Sequence, residues 1–473
     1  MTAPDPTGFR AVWSWLDDPL PEAGVLAVAG ADGSLFAADH LLLAGIGVAA
    51  VLPLTGGLVA PDGRAAAQRW LSAVPVDADG HPGGVPDEDG HTGTGTGSSP
   101  AGRVVAVGAL PFDRTAPGAL VVPALTVGRD DNGRWWATLV GPAGRTTVDT
   151  LRVEVAALTD RARAAAGAQA DEPAPGAGGG APPTLVEVPP GAGYAAAVGQ
   201  AVAHIGAGEL DKVVLARSVE VGLPDQPELG RVVRRLRVQE PSCTTFAVAA
   251  NPGGRSEMAR FVGASPELLV RRRGRAVACH PLAGTIGLTG DADADAATVE
   301  RFLGSAKEHR EHRLVVDDIA TVLRPLTDDL RVPDQPSLVR LQSVAHFGTL
   351  IDGTLHPGRA AGSAVPSVLD LVAALHPTPA VGGVPTDRAL LAIAALEVAP
   401  RGLWAGPVGW VDGAGDGEWM IGLRSATVAG RAVHLHAGAG VVSGSDPDAE
   451  LAETTVKLTP ILDAVVPGGS SLL

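Results

Sequence analysis

Glu450, Glu453 and Lys457 stand at i, i+3 and i+7, so a helix would set two carboxylates and one ammonium on a single face. Ser445 or Asp446 offers that helix an N-cap, and Pro447 suits its first turn. Just upstream, Val433, Leu435 and Ala437 alternate with His434 and His436, as in a half-buried strand. Gly438 and Gly440 then read as an open turn where a ligand could approach the backbone. A strand, a glycine turn and such a helix face suit an anion together with a cation. The plain alternative is a surface helix bearing an ion pair.

Other residues could extend this chemistry. In Lys307-Glu-His-Arg-Glu-His312, Glu308 and Glu311 share a helical face, in an order that differs from the His-Glu-x-x-His zinc pattern. Together with Glu450 and Glu453 they would make a hard, oxygen-rich site suited to Mg²⁺ rather than Zn²⁺. An ordinary charged helix surface would read the same way. Lys212 opens an apolar run, and it is one of only three lysines (with Lys307 and Lys457) among 36 basic residues. A desolvated lysine can serve as a base, which arginine effectively cannot; an edge-strand lysine facing water is the alternative. Glu267 sits between Pro266 and Leu268, where burial would raise its pKa and suit it to be a general acid. A turn carboxylate is the plainer reading. Arg424, read inside an apolar strand, needs a partner: a carboxylate ligand held bidentately, or a structural Asp or Glu.

The elements that must position these groups follow from periodicity. Helices are expected at 148–166, 194–205, 298–324 and 369–375. Strands are expected at 212–221, 244–250, 260–270, 277–284, 404–410 and 418–428. Residues 1–165 read as mixed strands and helices, interrupted by a Gly/Pro/Asp-rich loop at 77–103. Residues 166–183 read as a linker or long loop, and 184–466 as denser and more regular. The uncharged stretch 41–60 reads as two buried strands and a turn rather than a membrane span. Strand runs broken by long helices favour a layered α+β core.

Composition narrows the function. A net charge of −16 with no basic run argues against nucleic acid as a partner. Two cysteines in 473 residues point to a reducing compartment and exclude a disulfide framework. Without a secretory start, a cytoplasmic location is expected. The glycines at 438–444 do not complete a dinucleotide fingerprint, because Ser443 stands where the third glycine belongs.

Six stretches in one order carry a resemblance. They are Lys212-Val-Val-Leu-Ala-Arg217, Gly263-Ala-Ser-Pro-Glu-Leu268, Pro281-Leu-Ala-Gly-Thr285, Glu308 to His312, His376-Pro-Thr-Pro-Ala380, and Ala437-Gly-Ala-Gly440 with Glu450, Glu453 and Lys457. Together, over roughly 184–466, the chain resembles the chorismate-utilising enzymes, and among them the isochorismate synthases. Residues 1–165 are similar only loosely, through Asp39-His-Leu-Leu-Leu-Ala-Gly-Ile-Gly47.

The resemblance implies a fold of large, mostly antiparallel sheets flanked by helices, with 1–165 packed into it. It implies that Lys212 activates water for attack at C2 of chorismate and that Glu267 protonates the departing C4 hydroxyl. Glu311 and Glu453 would bind Mg²⁺, with Glu308 and Glu450 beside them. Arg424, Lys457 and backbone amides near Ala439 and Gly440 would hold substrate carboxylates. Thr285, His346, Ala380 and Trp404 complete the implied substrate-binding set. No glutaminase partner is implied, since ammonia-using relatives lack a lysine at the position of Lys212, and a monomer is expected. Two departures stand out: Trp404 replaces the Tyr or Phe common in relatives, and Ala380-Val381 lies where salicylate-forming relatives carry a threonine. Isochorismate is therefore expected as product, with salicylate as the alternative. A catalytically silent interaction protein of this fold is the non-enzymatic alternative.

Overall fold

The computed structural model describes residues 2–78, 100–167, 182–252, 259–357 and 365–473. Most of the expected loop 77–103 and of the linker 166–183 therefore lies outside the described residues. Among the described residues, strands assemble into sheets of 13, nine and three members. Their ladders are antiparallel, except where residues 11–13 pair with 76–78.

Eleven elements frame the cleft described below. The strands are β1 (Lys212–Gly222), β2 (Arg260–Ser265), β3 (Leu268–Arg273), β4 (Leu282–Gly287), β5 (Val344–Gly348), β6 (Gly417–Ile421), β7 (Ser425–Ala429) and β8 (Ala432–Val442). The helices are α1 (Leu229–Gln239), α2 (Ala306–Leu323) and α3 (Pro447–Val465). β1, β2, β7 and β8 belong to the large sheet, β3 and β6 to the second, and β4 and β5 to the smallest.

Strands from both sides of residue 165 share the two larger sheets. In the large one, Leu35, Phe36 and Ala37 pair with Ala247, Phe246 and Thr245. Phe36, Phe246 and Phe261 from this sheet join Val107, Val408 and Trp410 from the second in one buried cluster, so apolar faces of the two sheets pack together. Residues 41–60 do form two strands and a turn, Leu42–Ile46 and Ala50–Leu54, one in each larger sheet. No helix among the described residues is long and apolar enough to cross a membrane.

Several expected elements are broken, each for a local reason. The strand expected at 260–270 is β2 and β3 in different sheets, because Pro266 has no N–H to give a ladder. That expected at 277–284 breaks at Pro281, where the chain passes into the smallest sheet. The one at 418–428 divides into β6 and β7, so Arg424 lies in the crossing and not within a strand. The single helix expected at 298–324 is two, Ala292–Leu303 and α2. Ser305 caps α2 by accepting a hydrogen bond from the Glu308 backbone N–H. The strand expected from 404 begins only at Pro407, leaving Trp404 in the preceding turn.

Candidate active site

The places where the chain leaves one sheet for another bring the chemistry together. Glu267 follows the β2–β3 break, Thr285 lies just past the crossing at Pro281, and Arg424 occupies the β6–β7 crossing. All three line one cleft, which Glu311, Glu453 and Lys457 also wall. Ala380, Trp404, Gly440 and His346 line it too. Of the remaining expected site residues, Lys212, Glu308, Glu450 and Ala439 stand behind this lining.

β1 and β8 supply the floor, pairing over eleven registered positions from Lys212 opposite Val442 to Gly222 opposite Ala432. Gly438 and Gly440 are therefore strand residues, not a turn. What their missing side chains admit is the protein's own groups. A Cβ on Gly438 would lie 2.9 Å from the Trp404 ring, and one on Gly440 would collide with the Glu311 carboxylate. Lys212 is no edge lysine, since β8 pairs on one side and Gly383–Val384 on the other. Its side chain is 1% exposed, with Nζ 2.9 Å from Glu311 Oε1.

α3 forms as the sequence predicts. Asp446 accepts a hydrogen bond from the Ala449 N–H, and Pro447 occupies the first helical position. Arg217, buried in β1, fastens this helix to the sheet by donating to Thr454 and Thr455. Lys457 donates to Glu453 at 2.6 Å and to the Gly438 carbonyl at 3.1 Å. On α2, Lys307 lies 3.2 Å from Glu450 and 3.6 Å from Glu308. All three lysines of the chain thus meet the four glutamates, each glutamate touching an ammonium. The scarcity of lysine could have pointed to Lys307, which the expected site omits.

Burial tunes these groups. Glu267 is 3% exposed. Desolvation pushes its pKa up to about 8, against a hydrogen bond from the Leu282 backbone and the charges of Lys212 and Lys457. Burial, then repulsion from Glu311, raises Glu308; burial, then repulsion from Glu453, raises Glu450. Four crowded carboxylates form a hard donor set of the kind Mg²⁺ takes. As the side chains stand, with lysines inserted, no three acidic, His or Cys groups among the described residues converge on one metal position.

The opposite end is cationic and apolar. Arg424 donates to Glu240 at 3.3 Å and to His346 Nε2 at 3.2 Å. His346 Nδ1 faces the Gly284 carbonyl at 3.1 Å, which assigns the ring proton to Nδ1. Burial, then Arg424 and Lys457, hold His346 well below the ordinary histidine range, so it is neutral. Trp404 stacks on His436 at 5.7 Å, with the Arg401 guanidinium 5.2 Å from its ring. Arg401 also donates to the Val381 carbonyl, tying down the turn that carries Ala380. Glu240 and His436 were not expected here. Glu240 carries no sequence signal, whereas His436 opens the stretch that first suggested a site.

Comparison with known proteins agrees with this arrangement. Residues 99–466 match the family described as chorismate binding enzyme. A Mycobacterium tuberculosis protein provisionally named isochorismate synthase MenF is 40% identical over 367 residues, covering 76% of this chain and 86% of that one. Isochorismate synthase DhbC of Bacillus subtilis is 41% identical over 281 residues, covering 59% and 69%. The solved structure of the menaquinone-specific isochorismate synthase MenF of Escherichia coli has a TM-score of 0.71 at 26% identity, covering 97% of this chain and 95% of that one. A cleft ringed by Glu267, Arg424 and the lysine–glutamate cluster, within a match of that extent, has one conclusion: this chain belongs to the chorismate-binding enzymes.

Proposed function

We propose that the protein is an isochorismate synthase, converting chorismate to isochorismate by adding water at C2 and expelling the C4 hydroxyl. The observation that carries this reading is a buried glutamate, Glu267, lining the cleft, with a buried lysine, Lys212, just behind that lining. Lys212 acts in its neutral amine form, handing its ion-paired proton away before it takes one from the attacking water. Glu267, still protonated at neutral pH, delivers its proton to the departing hydroxyl, so the ring exchanges one hydroxyl position for another with no net change in atoms. Arg424 and Lys457 meet the carboxylates of the dianionic substrate. Trp404 and Ala380 close the cleft with apolar surface and offer no hydroxyl to orient the enolpyruvyl group for elimination.

The four glutamates fit a Mg²⁺ ion, which Glu308, Glu311, Glu450 and Glu453 would hold. When bound it would supply positive charge to a substrate carboxylate. No glutaminase partner enters the reaction, since water is the nucleophile. The test is to incubate the purified protein with chorismate and Mg²⁺ and to separate the products by chromatography. Isochorismate is expected; unchanged chorismate, or an aminated product formed with ammonia, would overturn the reading.

A further inference from the structure

Arg424 is held in an unusual way. Its φ of +47° lies in the left-handed region that L-residues with side chains seldom adopt. Its carbonyl accepts the Ala264 N–H, and its side chain reaches back between two fixed groups. One is His346, whose neutral Nε2 offers a lone pair at 3.2 Å. The other is Glu240, just past the end of α1 and 1% exposed. Glu240 is itself rigid: its backbone N–H bonds the Leu236 carbonyl, and its own carbonyl accepts from the Cys243 N–H. Among the described residues, its second carboxylate oxygen meets the weak Cys243 thiol donor, at 3.9 Å.

A carboxylate buried this deeply is costly unless paired, and Arg424 is its salt-bridge partner. Glu240 does not line the cleft; its carboxylate reaches it through Arg424, which does. The guanidinium has five N–H donors in a fixed fork; Glu240 takes one from Nη1 and His346 one from Nη2, and the residue also lines the cleft, where a ligand would meet it.

We propose that Glu240 is a positioning residue, clamping Arg424 against His346 so that a substrate carboxylate meets a guanidinium already ordered. This rests on the reading that Arg424 holds such a carboxylate. Pre-ordering of that kind strengthens ground-state and transition-state binding alike, so its loss falls on KM more than on kcat.

The experiment compares wild type, E240A, E240Q, R424A and E240A/R424A in steady-state turnover of chorismate with Mg²⁺. E240A is expected to raise KM about 10-fold or more with kcat little changed. E240Q, which keeps an acceptor oxygen, is expected to recover much of that loss. In the double variant the Glu240 change should add nothing further, whereas a purely structural role would lower activity additively. An unchanged KM in E240A, or full additivity, would overturn the proposal. Should wild type not turn over chorismate, the functional reading fails, and a crystal structure of E240Q and E240A decides this inference by itself. Arg424 is expected to leave His346 in E240A and stay in E240Q; an unmoved Arg424 in E240A would refute the clamp.

Discussion

Lys212 Nζ and Glu311 Oε1 are 2.9 Å apart, with side chains 1% and 10% exposed. The proposed base is thus ion-paired to a proposed metal ligand, and the two functions share one contact. Lys212→Met should lower kcat by about 10²–10⁴-fold, the usual contribution of a general base. Mg²⁺ should still raise the melting temperature of this variant, because the carboxylates remain. Near-normal kcat in Lys212→Met would remove Lys212 from the mechanism.

Glu267 sets a pH limit. With its folded pKa near 8 and an ordinary value of 4.5, the acid form persists through neutrality and is lost above about pH 8. Turnover should therefore fall as pH rises through 8, and Glu267→Gln should be nearly inactive and lack that limb. Stability follows the same linkage. Between pH 4.5 and 8 the folded protein keeps a proton that the unfolded chain releases, so stability declines as pH rises across that window. Denaturant titrations at several pH values should show a shallower decline in Glu267→Gln.

Metal dependence is the third expectation. Chelation with EDTA should abolish turnover and Mg²⁺ should restore it. Glu311→Ala and Glu453→Ala should both demand more Mg²⁺ for half-maximal rate and for thermal stabilisation. Full activity in chelated enzyme would leave the four glutamates as a lysine-binding cluster alone.

Gly440→Ala tests the strand against the carboxylate. The added methyl would occupy the place of the Glu311 carboxylate and lie 3.1 Å from Lys212 Cε. The fold should survive, since Gly440 is ordinary strand at this position, while turnover should drop at least as far as in Glu311→Ala. Wild-type kinetics in Gly440→Ala would show that Glu311 can work from elsewhere.

The last expectation concerns the product. Ala380 and Trp404 both face the cleft and neither carries a hydroxyl. Wild type should release isochorismate, and Ala380→Thr with Trp404→Tyr should increase any salicylate formed. Salicylate as the main wild-type product, at the rate of chorismate loss, would defeat this reading.

What the sequence made legible was local. The N-cap and proline of α3, the alternation through β8 and the buried run of β1 depend on neighbours within a few residues, and each forms as expected. The crossings between sheets were not legible, because an apolar run looks alike whichever sheet receives it. Pro266 and Pro281 were in plain view, yet only the third dimension shows that they switch sheets and swing Glu267 and Thr285 into the cleft. Glu240 was beyond reach altogether: it meets Arg424 across 184 positions of sequence, and nothing near Gln239 or Pro241 distinguishes it from a surface carboxylate.

The pairing of Leu35–Ala37 with Thr245–Ala247 has a consequence for how the chain reaches its native state. As it emerges from the ribosome, the strand at 34–37 must wait for more than two hundred further residues before its outer neighbour exists. Until then one row of backbone N–H and C=O groups stays open to any passing strand. Closures so distant in sequence slow assembly and lengthen the interval in which an open edge can meet another chain. Cooler expression and abundant chaperone should improve its yield more than any single stabilising substitution.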